Sequence, residues 1–164
     1  MTADPSVIAA MEAASIEFEE MECDPDLADT AAFCEAYGIP VEQSANAILV
    51  ASRKPEGHNA VCLVLAHTRL DVNGTVRRKL GVRKVSFAPA ELTMELTGQE
   101  IGGVTAFGLP PGLPVWVDSH VLEPEWVIIG AGSRSAKIKL DPRQFDGLEG
   151  FEVVEGLARI PESA

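Results

Sequence analysis

With 164 residues, the chain is long enough for one domain with a proper core and too short for two comfortable ones. Hydrophobic residues make up 46% and charged residues 23%, which excludes general disorder, and no apolar run approaches a membrane span. The net charge of −12 sits almost wholly in residues 1–52, which hold eleven acids and no Lys or Arg, so the acidic body is unsuited to tight non-specific nucleic-acid binding. The stretch MTADPSVIAAMEAAS has no basic residue, unlike a secretory signal, and a cytoplasmic protein is expected.

In chain order, Asp4-Pro5 is an N-cap and N1 pair, and Val7, Ile8, Met11 and Ala14 recur at helical spacing, predicting a helix to about Ser15. IEFEEM reads as a short strand and CDPDLAD as a loop; Thr30 then caps a second helix, AAFCEAY, closed by Gly38. AILVAS and AVCLVLAH read as adjacent strands of a hairpin. Asp71 caps a third helix, VNGTVRRKL, ending at Gly81; VRKVSF is a short strand, and APAELTMEL is a fourth helix ending at Gly98. IGGVTAFG is a glycine-bearing strand or loop and LPPGLP a rigid turn. VWVDSHVL, EWVIIG and AKIKL read as strands, DPRQF as a short helix, and FEVVEGL as a return to the sheet. Strands in runs and strands alternating with helices together predict a mixed α+β sheet.

Asn46, at the mouth of the apolar run in QSANAILVA, reads either as a turn residue or as an amide aimed at a ligand. Gly102-Gly103 in TGQEIGGVTAFG needs either a bulge or the close approach of a ligand, whose carbonyl oxygen or oxyanion the exposed backbone N–H groups would hold. GAGSRSA superficially suggests a dinucleotide fingerprint, but AKIKL follows with strand alternation where a helix would have to open, so a glycine turn lining a pocket is the better reading. Asp118, at a strand end, is either a solvated or turn-forming acid or a site residue. Cys23, Cys34, Cys62, His58, His67 and His120 are scattered without metal-ligand spacing, and no Ser-His-Asp or Cys-His arrangement stands out. No metal or cofactor is therefore expected, and an enzyme built on this sequence works by positioning and backbone electrostatics. Arg69, Arg77, Arg78, Lys79, Arg83 and Lys84, opposed only by Asp71, form a basic cluster that reads either as a solvated helix face or as a patch docking one RNA end.

The order of segments resembles the YbaK/prolyl-tRNA-synthetase-associated editing-domain family: a helix, QSANAILVA, a second core strand, LDVNGTVRRKLGVRKVSFA, ELTGQEIGGVTAFGLP, LPVWVD and IIGAGS. The resemblance covers roughly residues 5–155 and is carried by TG-x-x-x-GG, the GAG turn and the spacing between segments. It implies a single compact α+β domain with a mixed, barrel-like sheet surrounded by helices. It also implies metal-free hydrolysis of the ester that joins a wrong amino acid to the 3′ adenosine of a tRNA, usually tRNA(Pro), by a free-standing protein or within a synthetase. In such a site the glycine loop holds the aminoacyl carbonyl, and water or the substrate's own groups attack, with the ribose hydroxyl implicated. Relatives place a lysine, in a K-T-L or K-S-L context, where this chain has the neutral Asn46, and a G-x-x-x-P loop where it has Ala106.

On this resemblance Asn46, Gly102, Gly103, Val104 and Thr105 are expected to be catalytic, and Ala106, Asp118, Gly130, Gly132 and Ser133 to bind substrate. Arg77, Arg78, Lys79, Arg83 and Lys84 are expected to meet the tRNA, and a synthetase is a further expected partner. The expected activity is that of a free-standing aminoacyl-tRNA deacylase. Its rivals are a module that binds the aminoacyl end without turnover and a hydrolase of small molecules.

Overall fold

The computed structural model describes residues 3–161. Helix α1 (Pro5–Ala13) begins at Asp4, whose carboxylate accepts the Ser6 N–H at 2.9 Å, and it buries Val7 and Met11. It stops short of the predicted Ser15, which has a φ of +57°. Strand β1 (Phe18–Glu22) and a helical turn at Pro25–Leu27 lead into α2 (Thr30–Tyr37), where Asp29, not Thr30, holds the cap position. The hairpin strands are β2 (Ala45–Lys54) and β3 (Glu56–Leu65). After β4 (Arg69–Leu70), the predicted third helix divides into a wide turn at Val72–Val76 and a single turn of α3 (Arg77–Leu80). Then come β5 (Lys84–Phe87), α4 (Ala90–Thr97) and β6 (Val115–Asp118). The strand predicted to run through SHVL ends at Asp118, and Ser119–Leu122 turns helically instead. Strands β7 (Val127–Gly130), β8 (Ala136–Leu140), β9 (Phe151–Val154) and β10 (Ala158–Arg159) complete the chain.

Five strands form a mixed sheet in the order β5-β2-β3-β6-β9, in which β3-β6 and β6-β9 are parallel pairs. A three-stranded antiparallel sheet, β1-β8-β7, and the small β10-β4 pair stand beside it. The fold is α+β with a mixed sheet, as the sequence predicts, but the barrel-like sheet does not close. Among the described residues, one isolated bridge, from Ser44 just ahead of β2 to Ile128 of β7, links the two sheets.

The β2–β3 hairpin is covered on both faces, which explains two nearly unbroken apolar runs where an exposed hairpin would alternate. Leu49, Val61 and Leu63 face the main core with Val7, Met11, Ile129, Ile138 and Phe145. Val50, Cys62 and Val64 face a second core with Val76, Trp116 and Leu157. A third cluster, with Phe33, Cys34 and Ile128, seats α2 on the outer face of the smaller sheet. Among the described residues no helix is long and apolar enough to cross a membrane.

Candidate functional site

β5 covers β2 from Val50 to Lys54 and then leaves it. From Ala45 to Leu49 the same edge of β2 is lined instead by a cavity of about 300 Å³. Its other walls are Ile128–Gly130 of β7, Ala28–Thr30 at the start of α2, Ile101, Gly102 and Val104 of the glycine loop, and Lys137 of β8. The cavity thus fills the wedge left where β2 and β7 part after their one bridge. Backbone groups alternate between the two edges of a strand. Because Leu49 accepts from Ala88 on the β5 side, Ala47 turns its N–H and C=O to that same, here uncovered, edge.

Asn46 lines the wedge, and its orientation is set by a neighbour. The Thr30 hydroxyl donates to the Asn46 side-chain oxygen at 2.6 Å, so what Asn46 still offers is its amide N–H pair. Asp29 makes no side-chain cap bond for α2, because its carboxylate is turned to Arg134 at 3.1 Å.

The loop after α4 passes directly over β7. A Cβ on Gly130 would collide with the Val104 carbonyl oxygen and lie 2.6 Å from that of Gly103, so only glycine lets the two segments meet. The Gly132 N–H donates to the Gly103 carbonyl at 2.6 Å. From within, buried Gln99 fastens the loop, accepting the Thr105 N–H at 2.9 Å and donating to the Phe107 carbonyl at 2.8 Å. The Gly103 N–H donates to Glu100. Gly103 and Thr105 have therefore committed their N–H groups, whereas those of Gly102 and Val104 meet no acceptor among the described residues.

Lys137 is the cation of the site. It is 6% exposed, donates to the carbonyls of Ala28 (2.7 Å) and Gly102 (2.9 Å), and stands 5.4 Å from the centre of the Phe33 ring. Burial depresses the pKa of its ammonium below the ordinary lysine range, with Arg134 adding to the effect and Cys23 and Asp29 opposing it. The alternation of AKIKL, with Ala136, Ile138 and Leu140 in the core, hides Lys137 from a sequence reading, because the opposite face reads as solvent. The signal that could have found it is the apolar Phe33-Cys34 pair of α2, which needs a sheet face to cover.

Of the residues singled out in the sequence, the structure brings Asn46, Gly102, Val104 and Gly130 to the cavity. Gly103, Gly132 and Ser133 lie just behind the loop, where a Cβ on Gly103 would strike the Ser133 carbonyl. Thr105 is fully buried, and Ala106 lines a second, more apolar cavity with Phe107, Leu113 and Phe151. Asp118 is not at the site: it is fully buried at the end of β6, with its oxygens meeting the Ala158 N–H at 3.1 Å and His120 Nδ1 at 2.8 Å.

The basic cluster stands away from Asn46 but close to the opposite rim of the wedge. Lys84 pairs with Lys54, eight residues beyond Asn46 on β2 and roughly 26 Å from it at the rise of a strand, yet it comes only three residues before Phe87, which with Ala88 lines the cavity. Within the cluster, Lys79 is already engaged by Glu152 at 2.6 Å and packs over Trp116, and Arg77 donates to the Asn73 carbonyl of its own turn. No group of three or more His, Cys, Asp or Glu side chains that could hold a metal occurs among the described residues.

A family model for the aminoacyl-tRNA editing domain matches residues 24–148, a span containing every wall of the wedge. The chain belongs to this editing-domain family. In sequence the editing domain is similar to YwhH of Bacillus subtilis (strain 168), an uncharacterised protein. The two are 30% identical over 110 residues, which cover 67% of this chain and 68% of YwhH. In fold it is similar to the crystal structure of the hypothetical protein APE2540, with a TM-score of 0.83 and 22% identity over 94% of this chain and 99% of that one. It is also similar to a candidate trans-editing enzyme for prolyl tRNA synthetase, with a TM-score of 0.76 and 24% identity over 96% of this chain and 99% of that one.

Proposed function

We propose that this editing domain is a deacylase that works in trans on aminoacyl-tRNA, with mischarged tRNA(Pro) as its first candidate substrate. The observation that carries this reading is that the wedge gathers free hydrogen-bond donors from separate segments: the Asn46 amide and the N–H groups of Gly102 and Val104. Such a set suits an ester carbonyl that becomes an oxyanion. The lining includes no cysteine or histidine, which fits attack by water held in place rather than by a side chain. Water adds to the acyl carbon, the oxyanion rests against the donors, and its collapse breaks the ester bond. The ribose oxygen leaves and takes a proton, giving free amino acid and a tRNA with its terminal hydroxyl restored. A cavity of about 300 Å³ is at the small end for ligand sites, and suits an aminoacyl group with the nucleoside outside. The similarity in fold to a candidate trans-editing enzyme for prolyl tRNA synthetase supports the choice of tRNA.

The test is to incubate the protein with a panel of charged tRNAs, beginning with Ala- and Cys-tRNA(Pro), and to follow free amino acid. Release above buffer for at least one pairing is expected; none for any pairing would sink the proposal. Asn46 itself favours a second reading, a module that binds the aminoacyl end without turnover, because a neutral amide stands where the family resemblance implies a lysine. That reading predicts tight binding of a non-hydrolysable aminoacyl-adenosine without hydrolysis of the ester, and no hydrolysis on introducing Asn46→Lys.

A further inference from the structure

The β7–β8 hairpin carries three donors that reach the glycine loop in succession. Arg134 Nη1 donates to the Ile101 carbonyl at 2.9 Å, Lys137 Nζ to that of Gly102 at 2.9 Å, and the Gly132 N–H to that of Gly103 at 2.6 Å. In a planar trans peptide the C=O and the following N–H point in opposite directions. Holding the Ile101 carbonyl therefore turns the Gly102 N–H away from the hairpin, and holding that of Gly103 does the same for the Val104 N–H. These are the two N–H groups of the loop that meet no acceptor among the described residues, and both residues line the wedge.

The two cations also tie the loop to the opposite wall. Lys137 donates to the Ala28 carbonyl at 2.7 Å, and Arg134 donates to the Pro25 carbonyl at 2.9 Å and to the Asp29 carboxylate at 3.1 Å. The adjoining Thr30 orients Asn46. Of the two, Lys137 is buried and its ammonium has a third N–H beyond the two that are spent, whereas Arg134 is partly exposed to solvent.

We propose that Lys137 is a positioning residue for ester hydrolysis: by joining the Gly102 carbonyl to that of Ala28, its ammonium fixes the middle peptide of the loop, between the Ile101 carbonyl held by Arg134 and the Gly103 carbonyl held by Gly132, and so keeps the flanking Gly102 and Val104 N–H groups at the wedge beside the Asn46 amide. Arg134 is the outer brace of the same clamp. This inference rests on the deacylase reading of the wedge.

Steady-state hydrolysis is compared for wild type, Lys137→Met, Lys137→Ala with and without added ethylammonium, and Arg134→Met, alongside amide hydrogen exchange at Gly103 and Thr105. Lys137→Met should lower kcat by about 100-fold or more while KM moves less than threefold, the scale of losing one aligned oxyanion donor. Exchange at Gly103 and Thr105, whose N–H groups are bonded within the loop, should quicken, and ethylammonium should restore part of the kcat of Lys137→Ala. Arg134→Met should cost about tenfold. A Lys137→Met protein that melts lower but keeps kcat within twofold per folded molecule would overturn the proposal, as would unchanged exchange at both amides. Should Lys137→Met fail to fold, rescue of Lys137→Ala and its exchange decide the matter. A wild type inert toward every charged tRNA would remove the deacylase reading, and exchange in the substituted proteins would still decide whether Lys137 holds the loop.

Discussion

β2 has two unlike ends. From Val50 to Lys54 its edge is closed by β5, and from Ala45 to Leu49 that edge is left to the wedge. The closed end carries positive charge at Lys54 and Lys84 and ends in exposed residues; the open end is half-buried, with a neutral amide and a buried lysine supplied from another sheet. The contrast teaches that the site is made by pairing withheld. An edge strand normally invites another strand. Here its unpaired groups face a cavity roofed by a loop that the hairpin opposite holds in place.

The contrast is most severely tested by closing the open end. Gly130→Ala drives a methyl into the Val104 carbonyl, so hydrolysis should fall by about 100-fold or more through displacement of the loop. Overpacking of this kind costs about 1–3 kcal/mol, which a thermal melt registers as a drop of several degrees. An unchanged rate would separate the loop from the chemistry.

Next in size is Asn46→Asp, which exchanges an amide donor for a carboxylate that only accepts. A loss of about 1.5–3 kcal/mol, or 10- to 150-fold in kcat/KM at pH 7, is expected. The deficit relative to wild type should shrink as the pH is lowered through the carboxyl pKa, because the protonated acid can donate again. A deficit independent of pH would mean that the donor at position 46 does not act on the substrate.

A smaller effect is expected at the closed end. The double substitution Arg83→Ser with Lys84→Ser should raise KM for charged tRNA a few-fold at about 50 mM salt and less at about 200 mM, with kcat unchanged. Equal KM values at both salt concentrations would confine function to the wedge and its immediate rim.

The least effect on hydrolysis should come from Cys62, on β3 beneath the sheet. Burial pushes its thiol up to about 12 from an ordinary 9.0. The folded state therefore keeps this proton between pH 9 and about 12 while the unfolded chain loses it, and the thiol's contribution to stability declines across that window by about 1.4 kcal/mol per pH unit. Denaturant midpoints of wild type should fall more steeply than those of Cys62→Ala in that range, and hydrolysis at pH 7 should not distinguish the two. Parallel alkaline losses would mean that Cys62 is not held neutral by its surroundings.

How much was legible in the sequence follows from what each residue depends on. The hairpin, the α4 helix ending at Gly98 and the capped α1 helix rest on local pattern, and periodicity and turn residues expose them directly. The glycine loop could be suspected because Gly102-Gly103 has no local reason to be there. Lys137 could not, since its burial is imposed by α2, about 100 residues earlier in the chain. Asp118 misleads for the same reason: the backbone that buries it belongs to β10, 40 residues later. The wedge itself depends on where β5 stops, and a pattern of apolar residues specifies which face is buried but not which edge is left bare.

The passage of the glycine loop over β7 has a consequence for variation. Gly103 and Gly130 are 27 positions apart, yet a methyl on Gly130 would lie 2.6 Å from the Gly103 carbonyl oxygen. A methyl on Gly103 would in turn strike the Ser133 carbonyl, so the seating of the loop on the β7–β8 hairpin is written twice in the chain. Once either glycine is replaced and the loop has lifted, little remains for the second replacement to damage. The two substitutions together should fall well short of the sum of their separate effects, so the pair is a single heritable constraint rather than two.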